Sequence, residues 1–343
     1  MKTHCAVPAK LILSGEHAVL YHCPALSMAI DLKTHCWAAF QASETSSITI
    51  ELVNFQQKHK FPTNVWRQMA MDIECRFQLF EESKGSIQSV LANPIDLIIE
   101  VLYHFESLCP LKNGEWQFKI NSDVPIGRGL GSSAAVILSL LSSLIKQHAL
   151  DVSADQLLVL AQQIECRQHG NSSGIDPATL IYGGLLQYQN DQPIKQIEPL
   201  ALKGWLIDTN KPASSTGQCV MQVREQHAAD KELWKAFKAI TLEMVKAWKS
   251  QHSTAFKEAI RQNHQLLVKI GVVPNRVQTF IQTLEADYDA AAKVCGAGSI
   301  TGDSAGMLLC ISEQAPEALC KAYQYTYQPL VLQTKGVLCE DID

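Results

Sequence analysis

Asp123-Val124-Pro125-Ile126-Gly127-Arg128-Gly129-Leu130-Gly131-Ser132-Ser133-Ala134-Ala135 is the stretch on which the reading of this chain turns. Its three alternating glycines let the backbone bend and bring its N–H groups close to a ligand. The serines and alanines then open a helix, whose first N–H groups have no partner within the helix. A loop of this kind is a site for a polyanion such as a triphosphate. No lysine follows the last glycine, as it would in a Walker loop. The spacing is not that of a dinucleotide-binding turn either. A helix end contributes only about 0.3–2 kcal/mol to an anion. A triphosphate therefore also calls for a metal ion and a basic side chain.

Other residues can supply both. Ser132 or Ser133 can ligate Mg²⁺ through its hydroxyl, and Glu165, near the end of the next helix, is a second hard oxygen ligand. Asp176 follows the loop Gly170-Asn171-Ser172-Ser173-Gly174 and precedes Pro177-Ala178, which suits a partly buried carboxylate that accepts a substrate proton. A loop-stabilising or helix-capping aspartate is the plainer alternative. Lys10 sits between apolar strand residues, where a lysine needs a reason. Held beside Asp176, it would stabilise that charge and the transferring phosphoryl oxygens; alternatively it reaches solvent from an edge strand. Glu16 and His17 follow a glycine turn and can meet the substrate. A third glycine cluster, Lys293 to Gly306 with Gly296, Ala297 and Gly298 at its centre, suits close approach to a ligand, or is a long hairpin.

The bulk composition bounds these readings. A chain of 343 residues, 47% hydrophobic and 18% charged, is globular and long enough for two domains. Its net charge of -5 argues against a nucleic-acid or membrane-surface partner. The 11 cysteines form no C-x-x-C pair and fit reduced cytosolic thiols better than a disulfide framework. No signal peptide is visible, so the expected location is cytoplasmic.

Along the chain, strands are expected at Cys5 to Val7, Leu11 to Leu13, Ala25 to Ile30, Cys36 to Phe40 and Ile48 to Val53. Helical periodicity marks Asn64 to Phe80, Pro94 to Leu108, Ser132 to His148 and Ser153 to Arg167. Trp116 to Ile120 alternates as a strand entering the glycine loop, and Leu185 to Tyr188 and Trp205 to Asp208 read as two more. Asn190 to Pro199 is the candidate domain junction. From Gln218 to Ile270 there is no glycine or proline, which gives two or three helices, and Pro274 opens another to about Tyr288. Ala292 to Cys295 and Met307 to Ile311 read as a strand pair, Pro316 to Tyr325 as a helix, and Pro329 to Leu332 as a final strand. Strands and helices mix without regular βαβ alternation, which favours an α+β fold.

Three ordered stretches together resemble the GHMP kinases (galacto-, homoserine, mevalonate and phosphomevalonate kinases). Pro8 to Tyr21 looks like the first motif of that family, Pro125 to Ala135 the phosphate-binding second, and Gly296 to Gly306, more loosely, the third. Gly15-Glu16-His17 and the loop from Gly170 to Asp176 are most similar to the mevalonate kinase branch. The resemblance implies a two-domain α+β fold, with an N-terminal domain (1–200) like ribosomal protein S5 domain 2. A ferredoxin-like C-terminal domain (201–343) follows, whose last strand is able to return to the first. It implies ATP and Mg²⁺ as cofactors, mevalonate as the small-molecule substrate, and leaves a homodimer open. Asp176 and Lys10 would be catalytic; Ser133 and Glu165 would hold Mg²⁺. Gly127, Arg128, Gly129, Leu130, Gly131, Ser132, Ser133 and Ala134 would wrap the phosphates. Glu16, His17, Gly296, Ala297 and Gly298 would face the acceptor. Phosphomevalonate kinase, diphosphomevalonate decarboxylase or a non-catalytic sensor on the same fold are the alternatives. Departures from the family pattern are Ala9, His22 where glycine is usual, and Arg128, which is available for an additional phosphate contact.

Overall fold

The computed structural model describes residues 2–198 and 202–342, so Pro199 and the expected 200/201 boundary lie outside the described residues. The first strand, β1 (Lys2–Ser14), runs unbroken through Pro8-Ala9-Lys10, where the sequence suggests two shorter segments. A register shift against β2 falls between Pro8 and Ala9, where a residue without an N–H costs the ladder nothing. The second strand, β2 (Ala25–Ala42), also merges two expected segments. Its polar Asp31 and Lys33 interrupt the hydrophobic pattern and pair with each other, and Asp31 and Leu32 are the residues left out of the ladder at that register shift, with β2 continuing on either side.

A hairpin of β3 (Ser47–Leu52) and β4 (Gln57–Pro62) leads into α1 (Thr63–Glu81) and α2 (Pro94–Phe105). Asn93 and Asp96 close a capping box, with proline in the first turn of α2. Next, β5 (Gly114–Ser122) inserts between β2, antiparallel, and β3, parallel. Three helices follow: α3 (Ser132–Gln147), α4 (Ala154–His169) and α5 (Ile175–Tyr182). The sequence reading missed α5 because it has only eight residues and is bracketed by Gly174 and Gly183, both at positive φ. The short strands β6 (Leu185–Tyr188) and β7 (Lys195–Ile197) extend the sheet from β2.

A second, four-stranded antiparallel sheet starts with β8 (Trp205–Asp208). From Thr216 on, through the glycine-free region, the chain forms α6 (Thr216–His227), α7 (Lys231–Lys249) and α8 (Ser253–Lys269), followed by α9 (Asn275–Tyr288). The chain then forms β9 (Ala291–Val294), β10 (Met307–Ile311), α10 (Glu317–Tyr323) and β11 (Thr326–Pro329). The order β11-β8-β10-β9 is that of a ferredoxin-like unit, last-first-third-second, with four helices where the simplest version has one. The expected final strand at Pro329 to Leu332 is therefore incorrect: β11 ends at Pro329. The last strand is β12 (Leu338–Ile342), which pairs with β1 at the edge of the first sheet.

The first core lies between the large sheet and α1 to α4, built on Trp66, Phe105, Trp116 and Phe118. Leu11, Leu13, Leu26 and Met28 pack in one cluster with Leu206, Met244, Met307 and Leu309, so the two sheets share buried apolar surface. Each such side chain contributes about 1.5–3 kcal/mol on burial. No helix among the described residues is long and apolar enough to cross a membrane.

The expectation that all thiols are reduced is also corrected. Cys5 and Cys339 form a disulfide; the other nine cysteines are free. These two stand directly opposite each other on β1 and β12, with Cα atoms 4.1 Å apart, despite a separation of 334 residues. Sequence spacing does not show such a pairing.

His264 of α8 is buried, and its Nδ1 has no hydrogen-bond partner. Burial pushes its pKa down from 6.5 to about 4. Between those values the unfolded chain binds the extra proton, so stability is full above the window and falls as pH drops through it. In urea denaturation at stepped pH, His264→Leu should remove up to one proton from the slope of unfolding free energy over that range. An unchanged slope would overturn the assignment.

Candidate active site

Lys10 lies inside the molecule because β1 is a central strand there, with β2 on one side and the phosphate-loop segment on the other. The Lys10 N–H donates to the Leu130 carbonyl at 3.0 Å. Its side chain is 3% exposed, and Nζ lies 2.9 Å from Asp176 Oδ1, in the first turn of α5. Gly131 wraps this pair. A Cβ there would stand 2.9 Å from Lys10 Cγ and 3.6 Å from Asp176 Oδ2, with φ at +74°.

The same loop is locked to the third glycine stretch. A Cβ on Gly129 would fall 2.4 Å from the Cys295 carbonyl, and one on Gly296 would fall 2.9 Å from Gly129 Cα. The Met307 N–H donates to the Arg128 carbonyl at 3.0 Å. The two backbones thus touch across the sheets, which explains the glycines at both places. No side chain caps α3, whose N-cap is Gly131, so its first N–H groups face the cleft.

Glu165 is buried and accepts a hydrogen bond from the Ser172 hydroxyl at 2.7 Å. Burial, followed by the charge of Asp176, pushes its pKa up to about 8. Ser133 Oγ lies 3.5 Å from His169 Nε2, a neighbour that the sequence reading did not single out. His169 lines the same cleft, and burial pushes its pKa down.

On the other wall, the Lys293 ammonium bonds the Glu16 carboxylate and donates to the Ile12 carbonyl at 2.8 Å. Both charged side chains are buried, at 0% and 1% exposure. Burial lowers the Lys293 pKa to about 8, which leaves an ammonium at neutral pH. His17 Nε2 is 3.1 Å from the Ala297 carbonyl, and burial pushes this histidine down to about 4. The neutral ring then donates from Nε2. His17 Nδ1 and Glu16 Oε2 remain buried without a partner, and both residues line the cleft. The family's usual glycine after Tyr21 also has a physical reason here: His22 occupies left-handed backbone, with φ at 57°.

These groups surround one cleft of about 740 Å³. Gly127, Gly129, Gly131, Ser132, Ser133, Glu165, Asp176, Lys10, Glu16, His17 and Gly296 to Gly298 all line it. Leu130 and Ala134 are buried in the core and can offer only backbone groups. Beyond the glycine loop the cleft widens into an apolar lobe made by Leu52, Phe55, Ile87, Leu91 and Leu97.

Arg128 has a partner that its place in the loop does not announce. Its Nε donates to Asp208 Oδ2 at 2.9 Å, which ties the guanidinium to β8, while its Nη1 is buried without a hydrogen-bond partner. The cation over the loop is Lys211, exposed, with Cε 3.5 Å from where a Cβ on Gly127 would stand. Lys211 was invisible in the sequence because nothing local marks a lysine folded back from another sheet.

The chain is similar to known proteins over most of its length. The family model "GHMP kinases N terminal domain" matches residues 96–184. The mevalonate kinase of Thermococcus onnurineus is 28% identical over 313 residues, covering 87% of each chain. That of Saccharolobus solfataricus is 26% identical, covering 98% of this chain and 99% of its own. Among solved structures, the Methanococcus jannaschii mevalonate kinase superimposes with a TM-score of 0.76 at 20% identity, covering 96% of this chain and 98% of that one. Lactococcus lactis galactokinase complexed with galactose gives 0.77 at 16% identity, covering 98% and 95%.

Gly129→Ala tests the interlock. The variant should remain folded by circular dichroism but lose at least about tenfold in binding of a nucleoside triphosphate, because the added methyl separates two packed backbones. Native-level binding would mean that the contact is dispensable.

Proposed function

This chain belongs to the GHMP kinase superfamily, and on that premise we propose that it transfers the γ-phosphoryl group of ATP to the primary hydroxyl of mevalonate. The observation that carries the reading is the Lys10–Asp176 pair, at 2.9 Å, beside an uncapped helix N-terminus. The glycine loop and the first turn of α3 hold the phosphates, with Lys211 above them and the apolar lobe accommodating the base.

Asp176 accepts the hydrogen bond of the acceptor hydroxyl and takes its proton as the new O–P bond forms and the bond to the ADP oxygen breaks. The Lys10 ammonium faces both the carboxylate and the transferring oxygens, stabilising negative charge in a site largely shielded from water. Glu16 Oε2 and His17 Nδ1, the two unpartnered atoms of the opposite wall, are the groups available to the polar end of the acceptor.

Ser133 and Glu165 fit a magnesium ion. They offer two hard oxygens beside the phosphate loop, and the buried Glu165 carboxylate needs a positive neighbour to stay ionised. When bound, the ion would neutralise phosphate charge. The curated relatives favour mevalonate among possible acceptors, since those matching most of the chain carry that name.

Two measurements test the proposal. ADP release should be strong with mevalonate and at background with phosphomevalonate, homoserine and galactose; activity confined to another acceptor contradicts the assignment. Asp176→Asn should lower kcat by about 10²–10⁴-fold while ATP binding stays nearly intact. Unchanged turnover would remove Asp176 from the mechanism.

A further inference from the structure

Away from the cleft, a cluster of ionisable side chains is enclosed by α1, α2 and α4 and takes no part in the chemistry above. Glu74 comes from α1, and Glu100 and His104 stand one turn apart on α2. Their donor atoms lie within 4.8 Å of one another. The Glu100 side chain is 0% exposed, and neither carboxylate oxygen has a hydrogen-bond partner. His104 Nε2 is 3.5 Å from Glu100 Oε2 and has no hydrogen-bond partner either. Arg167 of α4 does not resolve this: its Nε and Nη2 bond the two oxygens of Glu74 at 2.8 Å each. From Glu100 Oε2 its Nε is 3.9 Å away.

Glu100 is fully buried with no donor on either oxygen and only the neighbouring Glu74 carboxylate to share a proton with, and the imidazole nitrogen facing it is idle, an arrangement rare in folded proteins. An ion on the open side of the cluster accounts for all three groups together. We propose that Glu74, Glu100 and His104 form a structural site for a borderline transition-metal ion, Zn²⁺ foremost, separate from the Ser133–Glu165 pair. One imidazole and two carboxylates suit zinc, whereas magnesium favours oxygen alone. Bonds of about 2.0–2.2 Å hold donors roughly 3.5 Å apart, so the present spacing closes by side-chain rotation. Glu74 is 26% exposed, which gives the ion an entry route and leaves room for a water as fourth ligand. Arg167 then acts as the outer partner that fixes Glu74, as ligating carboxylates commonly require. Without an ion, burial, the charge of Glu74 and a proton shared with the Glu74 carboxylate push Glu100 up to about 9, while burial holds His104 down at about 4, a neutral imidazole at pH 7. The site would clip α1 to α2, the helix whose Leu97 and Ile98 line the cleft.

The test uses the full chain without a histidine tag, stripped with chelator and held in excess Mg²⁺. Titrating Zn²⁺ against a chromophoric competitor should show one equivalent bound. Affinity should fall at least about tenfold in His104→Ala and in Glu74→Gln, yet persist in Glu165→Gln and Cys75→Ser. Co²⁺ should give visible absorption bands in the native chain that are lost in His104→Ala. Melting curves and circular dichroism establish that the variants are folded; if one is not, the native cobalt spectrum decides. Zinc that does not bind the native chain, or that binds the ligand variants equally, overturns the site.

Discussion

The contact between the Lys10 ammonium and the Asp176 carboxylate sets requirements for much of the molecule. A lysine can sit at 3% exposure only where a carboxylate meets it, and here that carboxylate arrives from a helix 166 residues further along. β1 must therefore continue through Pro8, and α5 must begin just after Gly174. Gly131 must also lack a side chain, because the loop turns directly over the pair. Lys10 is enclosed in this way while Asp176 stays 25% exposed to the cleft, so the lysine charge acts on whatever meets that carboxylate at short range.

A second constraint sets the glycine loop against that pair. The glycine loop touches the Cys295–Gly296 backbone, and Arg128 pairs with Asp208, so the two sheets are fastened on either side of the cleft. Lys293 adds a third fastening, reaching from the second sheet to Glu16 and the Ile12 carbonyl on the first. The wall bearing Glu16 and the wall formed by the glycine loop are consequently held by contacts between the two sheets, and neither sheet builds the cleft alone.

Much of this was legible in the sequence. Glycines recurring before a helix, a lysine within an apolar strand and an aspartate after a glycine-bounded loop are local signals with local causes. The α+β class and the strand pair β9–β10 followed from patterning. Features set by distant partners were not legible. Arg128 looked free because Asp208 is 80 residues away, and Lys211 had no local mark. The Cys5–Cys339 bond and β12 itself depend on the chain end returning to β1. Helix α5 was hidden by its brevity. Glu100 and His104 carry no local mark either, because their burial depends on α1 and α4 packing over α2.

The most direct measurement is a crystal structure of the full chain with mevalonate, Mg²⁺ and a non-hydrolysable ATP analogue. The primary hydroxyl should lie about 3 Å from the Asp176 carboxylate. The terminal phosphate should rest between Lys10 and the loop from Gly129 to Ser133. An acceptor seated away from Asp176, or phosphates held outside that loop, would contradict the account.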